Sequence, residues 1–126
     1  MNAPAEATVV ERARDYYNSE DADNFYFHIW GGEDIHVGIY AGETQPIAEA
    51  SEMTVSTMAG HLKHLGRDAR IVDIGAGYGG AARWLARNYG AYVTCVNLSE
   101  VENERNREMS SAQGLGDKIR VVDASF

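Results

Sequence analysis

Cysteine, proline and positive charge are all scarce in this chain of 126 residues, which holds one Cys, two Pro, and eleven Lys and Arg against nineteen Asp and Glu. A lone Cys95 cannot form an internal disulfide and fits a reducing compartment, so a cytoplasmic location is the expectation. A net charge of −8 leaves no basic face of the kind nucleic acid requires, so no nucleic-acid partner is expected. No apolar run approaches membrane-spanning length, and the opening Met-Asn-Ala-Pro-Ala-Glu lacks the apolar core of a signal peptide, so neither a membrane partner nor secretion is expected. With no secretory signal, the sequon Asn97-Leu98-Ser99 is discounted as a glycosylation site.

What is present is a globular composition, 44% hydrophobic, long enough for one modest core. The chain divides into residues 1–66, a helical segment, and residues 67–126, an α/β segment. Residues 1–7 read as a frayed tail. Val9, Val10, Ala13, Tyr16 and Tyr17 repeat at helical spacing over 8–17. A polar break at 18–23 precedes a short helix, starting at Asp21 or Asp23, that carries Phe25, Tyr26, Ile29 and Trp30; Gly31-Gly32 stops it. Residues 33–40 read as loop or short strand. A long helix is expected from Thr44 to Leu65, with Pro46 in its first turn and Gly66 at its end.

From Arg70 the pattern alternates. Strands are expected at 70–74, 92–97 and 118–123, with helices at about 79–89 and from Ser99 to about Ala112. Ser99 and Glu102 form a capping-box pair. Strand, helix, strand, helix, strand gives a right-handed parallel unit of spatial order 3-2-1. The fold class is therefore α/β, the N-terminal half of a Rossmann-like fold preceded by a helical segment. A doubly wound sheet would set a fourth strand beside the first. The expectation is thus the N-terminal portion of a larger enzyme, with little catalysis from 126 residues alone and an open strand edge through which two copies could pair.

The densest signal is Ile71-Val-Asp-Ile-Gly-Ala-Gly-Tyr-Gly-Gly80, where a β-branched strand runs into Gly75, Gly77 and Gly80 and then a helix. Nicotinamide, flavin and S-adenosylmethionine cofactors compete for such a loop. A nicotinamide site wants an acid about 20 residues past the glycines, and Asn97 stands at that strand end. Asp73 suits an ammonium group, as S-adenosylmethionine carries; capping of nearby backbone is the plainer reading, and the residues leave both open.

Asp73-Ile-Gly-Ala-Gly-Tyr-Gly-Gly80 resembles motif I of class I S-adenosylmethionine-dependent methyltransferases. Val96-Asn-Leu-Ser-Glu-Val-Glu-Asn-Glu-Arg-Asn106 resembles the second motif of a narrower group: sarcosine/dimethylglycine N-methyltransferases, tocopherol methyltransferases and, more distantly, cyclopropane fatty acid synthases. Asp23-Asn-Phe-Tyr-Phe-His-Ile-Trp-Gly-Gly-Glu-Asp-Ile-His-Val-Gly38 is similar to the N-terminal signature of the sarcosine/dimethylglycine enzymes, which make glycine betaine. The resemblance covers most of residues 12–126.

The resemblance implies S-adenosylmethionine as cofactor and a small amine as substrate. It implies Gly75, Ala76 and Gly77 at the methionine portion, and Tyr17 at its carboxylate end. It puts Asn97 and Leu98 at the ribose and adenine, and Glu102 at the ribose hydroxyls, where relatives usually carry Gln. Asp123 would take the adenine amine, and the Ala124 N–H would bond the ring. Trp30 and His36 lie in the signature that closes over the cofactor, and Tyr26 and Trp30, with Tyr40, offer cation–π faces to a growing ammonium. Taken without the resemblance, His36 is a turn residue, and Phe25 is best placed in the core. His61 and His64, three apart on the long helix, have no further ligands near them, so no metal site is expected. A prenylated-ring methyltransferase is the sibling reading, and a cofactor-binding module without turnover is the reading from another class.

Overall fold

The structure, a computed structural model, describes residues 3–125; Met1, Asn2 and Phe126 lie outside the described residues. Helix α1 spans Ala3–Asn18, so the expected tail is helical from Ala3 onward. Pro4 in the first turn costs no hydrogen bond there, because the first N–H groups of a helix have no partner within it. Ser19 caps the short α2, Glu20–Asn24, by accepting from the Ala22 N–H at 3.2 Å. A π-helical turn, Phe25–Ile29, follows and closes with the Trp30 N–H on the Phe25 carbonyl at 3.0 Å.

Helix α3 is Ile47–Ala59, shorter than the Thr44–Leu65 expected. Pro46 is the residue before the helix, with extended ψ, and Gly60 is its C-cap. Past Gly60 the bonds are turn bonds, His61 N–H to Met58 and Leu62 N–H to Ala59. His64 has φ +64°, so His61 and His64 do not share a helix face.

Strands β1 (Arg70–Ile74), β2 (Tyr92–Asn97) and β3 (Ile119–Asp123) form one parallel sheet of order β1-β2-β3, with Asp73 beside Cys95 and Asn97 beside Asp123. This is the 3-2-1 order expected. Helices α4 (Gly80–Tyr89) and α5 (Glu100–Ala112) make the crossovers. The core gathers Ala82, Leu85 and Ala86 of α4, Ala59 of α3, and Val93, Cys95 and Ile119 of the sheet, with Ile71 and Val121 beside them. Alternation along the strands puts Val72 and Ile74 on the opposite face, where both are exposed.

The N-terminal helices lie along α5. Asn18 at the end of α1 donates to the Glu100 carboxylate at 2.8 Å and accepts from the Ser99 hydroxyl at 2.6 Å. One asparagine thus ties the last turn of α1 to the first turn of α5.

Candidate cofactor site

The loop after β1 folds back on the sheet because the N–H groups of Gly75 and Ala76 both reach the Val96 carbonyl, at 2.7 and 3.3 Å. That turn needs φ of +74° at Gly75 and +56° at Gly77, a region L side chains avoid. A Cβ on Gly75 would meet nothing within 4 Å, so this glycine faces open space. A Cβ on Gly77 would lie 3.0 Å from Ile35 Cδ1, so the loop at 33–36 sits directly on it.

Beside the loop is a cavity of about 430 Å³. Val55, Met58, Leu62, Val72 and Leu85 give it an apolar wall, and Asp34, His36 and Asp73 its polar end. Among the described residues the Asp73 carboxylate accepts no hydrogen bond from backbone or side chain, so it does not act as a backbone cap. Burial pushes its pKa up, Asp34 adds to that by repulsion, and His36 opposes it. His36 Nε2 stands 3.3 Å from Asp34 Oδ1, and that carboxylate raises the imidazole pKa against the effect of burial.

At the other strand ends the polar groups pair with one another. Asn97 Nδ2 donates to Glu102 Oε2 at 2.8 Å, both residues being buried. The capping box is therefore one-sided: Ser99 Oγ accepts from the Glu102 N–H at 3.2 Å, while the Glu102 carboxylate turns to Asn97. Burial pushes Glu102 up to about 7, with the Asn97 bond working against the rise. Asp123 accepts from Asn103 Nδ2 at 2.7 Å and from Arg107 Nη2 at 2.9 Å, which hold its pKa down. The Ala124 N–H is already engaged, donating to the Asn97 carbonyl at 3.2 Å, so a ring bond there would have to displace it. Leu98 is half-buried beyond β2.

Tyr17 stacks on Tyr26 with centroids 6.5 Å apart, and Tyr26 meets Trp30 edge-on at 6.3 Å. The neighbouring Tyr16 hydroxyl, burial and nearby charge including Glu102 push Tyr26 up to about 12. Phe25, expected in the core, is 41% exposed on the outside of this cluster. Trp30 Nε1 donates to the His36 carbonyl at 3.0 Å, so the aromatic cluster holds the histidine's backbone. The structure thus brings His36, Asp73, Gly75, Ala76 and Gly77 to the cavity. Tyr26 and Trp30 are not among the cavity's walls, nor are Asn97, Glu102 and Asp123 at the neighbouring strand ends. Glu33 and Asp34, which the sequence already sets beside His36 in one polar loop, do shape this end of the site; Arg83, which pairs with Glu33, is the residue that sequence alone did not single out.

Over residues 7–126 the chain matches the mycolic acid cyclopropane synthetase family. It is 62% identical over 120 residues to the glycine/sarcosine/dimethylglycine N-methyltransferase of Actinopolyspora halophila, covering 95% of this chain and 21% of that protein. It is 57% identical over 117 residues to the sarcosine/dimethylglycine N-methyltransferase of Halorhodospira halochloris, covering 93% and 42%. A solved structure from Galdieria sulphuraria, provisionally assigned as a sarcosine dimethylglycine methyltransferase, superposes with a TM-score of 0.77 at 47% identity, covering 87% of this chain and 42% of that one. The chain therefore spans well under half the length of each of these relatives.

Proposed function

This chain belongs to the mycolic acid cyclopropane synthetase family, and on that premise we propose that it is the cofactor-binding portion of an S-adenosylmethionine-dependent N-methyltransferase acting on sarcosine and dimethylglycine. The observation that carries the reading is the Asp73 carboxylate, free of hydrogen bonds on the wall of the cavity beside Gly75, whose missing side chain leaves room for a ligand. The identity to named N-methyltransferases supports the substrate class over the prenylated-ring alternative.

The residues fit the cofactor. Asp73 offers an anionic acceptor for an ammonium, and Gly75, Ala76 and Gly77 offer backbone without side-chain bulk. Glu102 and Asn97 offer acceptors for ribose hydroxyls, and Asp123 an acceptor for an amine. When bound, the cofactor supplies an electrophilic methyl on a sulfonium. The work left to the protein is to hold the amine nitrogen in line with that methyl, which accounts for much of the rate in such transfers. In this reading Tyr17 meets the carboxylate end, Tyr26 and Trp30 stabilise positive charge, and the Asp34–His36 pair stands at the polar end of the cavity to take a proton from the amine. The location that goes with this reading is cytoplasmic, supported by the single buried Cys95. No helix among the described residues is long and apolar enough to cross a membrane.

Calorimetric titration of the chain with S-adenosylhomocysteine tests the reading. Saturable binding near one site per chain, weakened by Gly77→Val, supports it. A folded chain that does not bind, with binding also absent from a chain extended to the relatives' length, rejects the cofactor. A second reading is a non-catalytic module that self-associates, favoured by the outer edge of β1, which pairs with no strand among the described residues. Sedimentation of a clean monomer at high concentration rejects that one.

A further inference from the structure

The Arg83 guanidinium is fully buried, and it is shared among three parts of the fold. Nε and Nη2 donate to Glu33 Oε2 at 3.0 and 2.7 Å. Nη1 donates to the Tyr78 carbonyl at 2.6 Å, inside the glycine loop, and to Asn106 Oδ1 on α5 at 3.2 Å. A guanidinium stays charged in any protein, so its place in the interior depends on these acceptors.

Glu33 opens the segment that carries Asp34 and His36. Its backbone carbonyl also accepts from the Gly80 N–H at 3.1 Å, and its second carboxylate oxygen accepts from Gln113 at 3.0 Å. The next residue, Asp34, lies against Gly80 so closely that a Cβ there would collide with its carboxylate. Ile35 then covers Gly77, and the His36 carbonyl takes Trp30. One side chain on α4 therefore grips the glycine loop through Tyr78 and the Asp34–His36 segment through Glu33.

We propose that Arg83 is a positioning residue, which through Glu33 holds the Asp34–His36 pair at a fixed place above the glycine loop and so sets the shape of the cavity's polar end. It touches neither the cavity nor any group in the proposed chemistry; it acts through Glu33. The inference rests on the cofactor reading for its binding measurement only.

The test uses Glu33→Gln, which keeps the shape of the side chain and removes the charge that answers Arg83, and Arg83→Lys, which keeps the charge and loses the fork. Two quantities are read on chains shown to be folded by amide exchange of β2: the titration of the His36 imidazole by NMR, and the affinity for S-adenosylhomocysteine. Asp34 and Asp73, together with the Val37 carbonyl, have the largest effects on His36; Arg83→Lys leaves every charge in place, so a change in titration in that variant reports movement of the pair. The expected result is a His36 midpoint that falls toward the ordinary imidazole value in both variants, with affinity weakened about tenfold or more. If S-adenosylhomocysteine binds neither the unmodified chain nor one extended to the relatives' length but the His36 midpoint still falls, the cofactor reading fails and the positioning role stands. Folded variants in which His36 titrates as in the unmodified chain overturn the positioning role, whatever the affinity does.

Discussion

Asp23 receives Arg105 at both carboxylate oxygens, Nε on Oδ1 at 2.7 Å and Nη2 on Oδ2 at 2.6 Å, and Oδ1 also takes the Tyr78 hydroxyl at 2.9 Å. The guanidinium lies 3.8 Å over the Phe27 ring. One carboxylate thus joins α2 to α5 and to the glycine loop. Arg105 holds the Asp23 pKa below its ordinary 3.8, so the ionised pair contributes stability above that value and loses it as pH falls through the lowered one. Asp23→Ala is expected to lower the unfolding free energy by about 2 kcal/mol at neutral pH. Urea denaturation checks this, and the difference between the two proteins should shrink in acid.

Glu102 works in the opposite direction. Its pKa rises from 4.5 to about 7 on folding, so the folded chain binds more protons between those values and stability falls as pH rises through that window. The full loss is on the order of 3 kcal/mol. Glu102→Gln keeps an acceptor for Asn97 and has no charge to bury. Thermal unfolding should show the variant matching the unmodified chain at about pH 4, and exceeding it at about pH 8 by a margin of that order.

Two glycines in the same motif should respond differently to alanine. At Gly75 the new methyl enters open space, and only the φ of +74° penalises it, at about 1 kcal/mol. At Gly80 the methyl meets the Asp34 carboxylate and the Glu33 carbonyl, the latter at 2.5 Å, so the segment at 33–36 must move. The expected outcome in calorimetry is that Gly80→Ala weakens S-adenosylhomocysteine binding and also disturbs the His36 resonances. Gly75→Ala should leave those resonances in place.

Ser99 is 1% exposed, caps α5 through the Glu102 N–H, and donates to Asn18 at 2.6 Å. Ser99→Ala removes the cap and leaves Asn18 Oδ1 with only the Val101 N–H at 3.3 Å. A loss of about 1–2 kcal/mol is expected from the cap alone. Hydrogen exchange should show α1 opening more readily than the sheet, because its last turn depends on that asparagine.

The parts of this fold that could be read from sequence are the local ones. β-branched runs marked β1, β2 and β3, the first closed by Gly75 and the other two opening soon after Gly90 and Gly116, and Ser99 marked the start of α5. Helix α3 was read too long because Leu62 and Leu65 continue the apolar spacing beyond Gly60, where the backbone has already turned. The glycine loop was legible because its spacing is itself the signal, whereas the strand-end residues came from the family resemblance alone. The pairs that fix the site were not: Arg83 meets Glu33 across 50 positions and Arg105 meets Asp23 across 82, and neither pair leaves a periodic trace. Glu102 was legible as half of a capping box, but its turn toward Asn97 depends on two buried groups having only each other to satisfy them.

The fastening of the first helices by α5 also fixes an order of events. Asp23 leaves the ribosome 82 residues before Arg105 does, and Asn18 precedes Glu100 by the same distance. At about 5–20 residues per second that interval lasts on the order of 4–16 s. For all of it, the segment that carries Trp30 and His36 has no α5 to dock on. The glycine loop and its strand are therefore synthesised before the helices ahead of that segment can dock on α5, and the polar end of the cavity, gripped from within by Arg83, gains its outer fastening last.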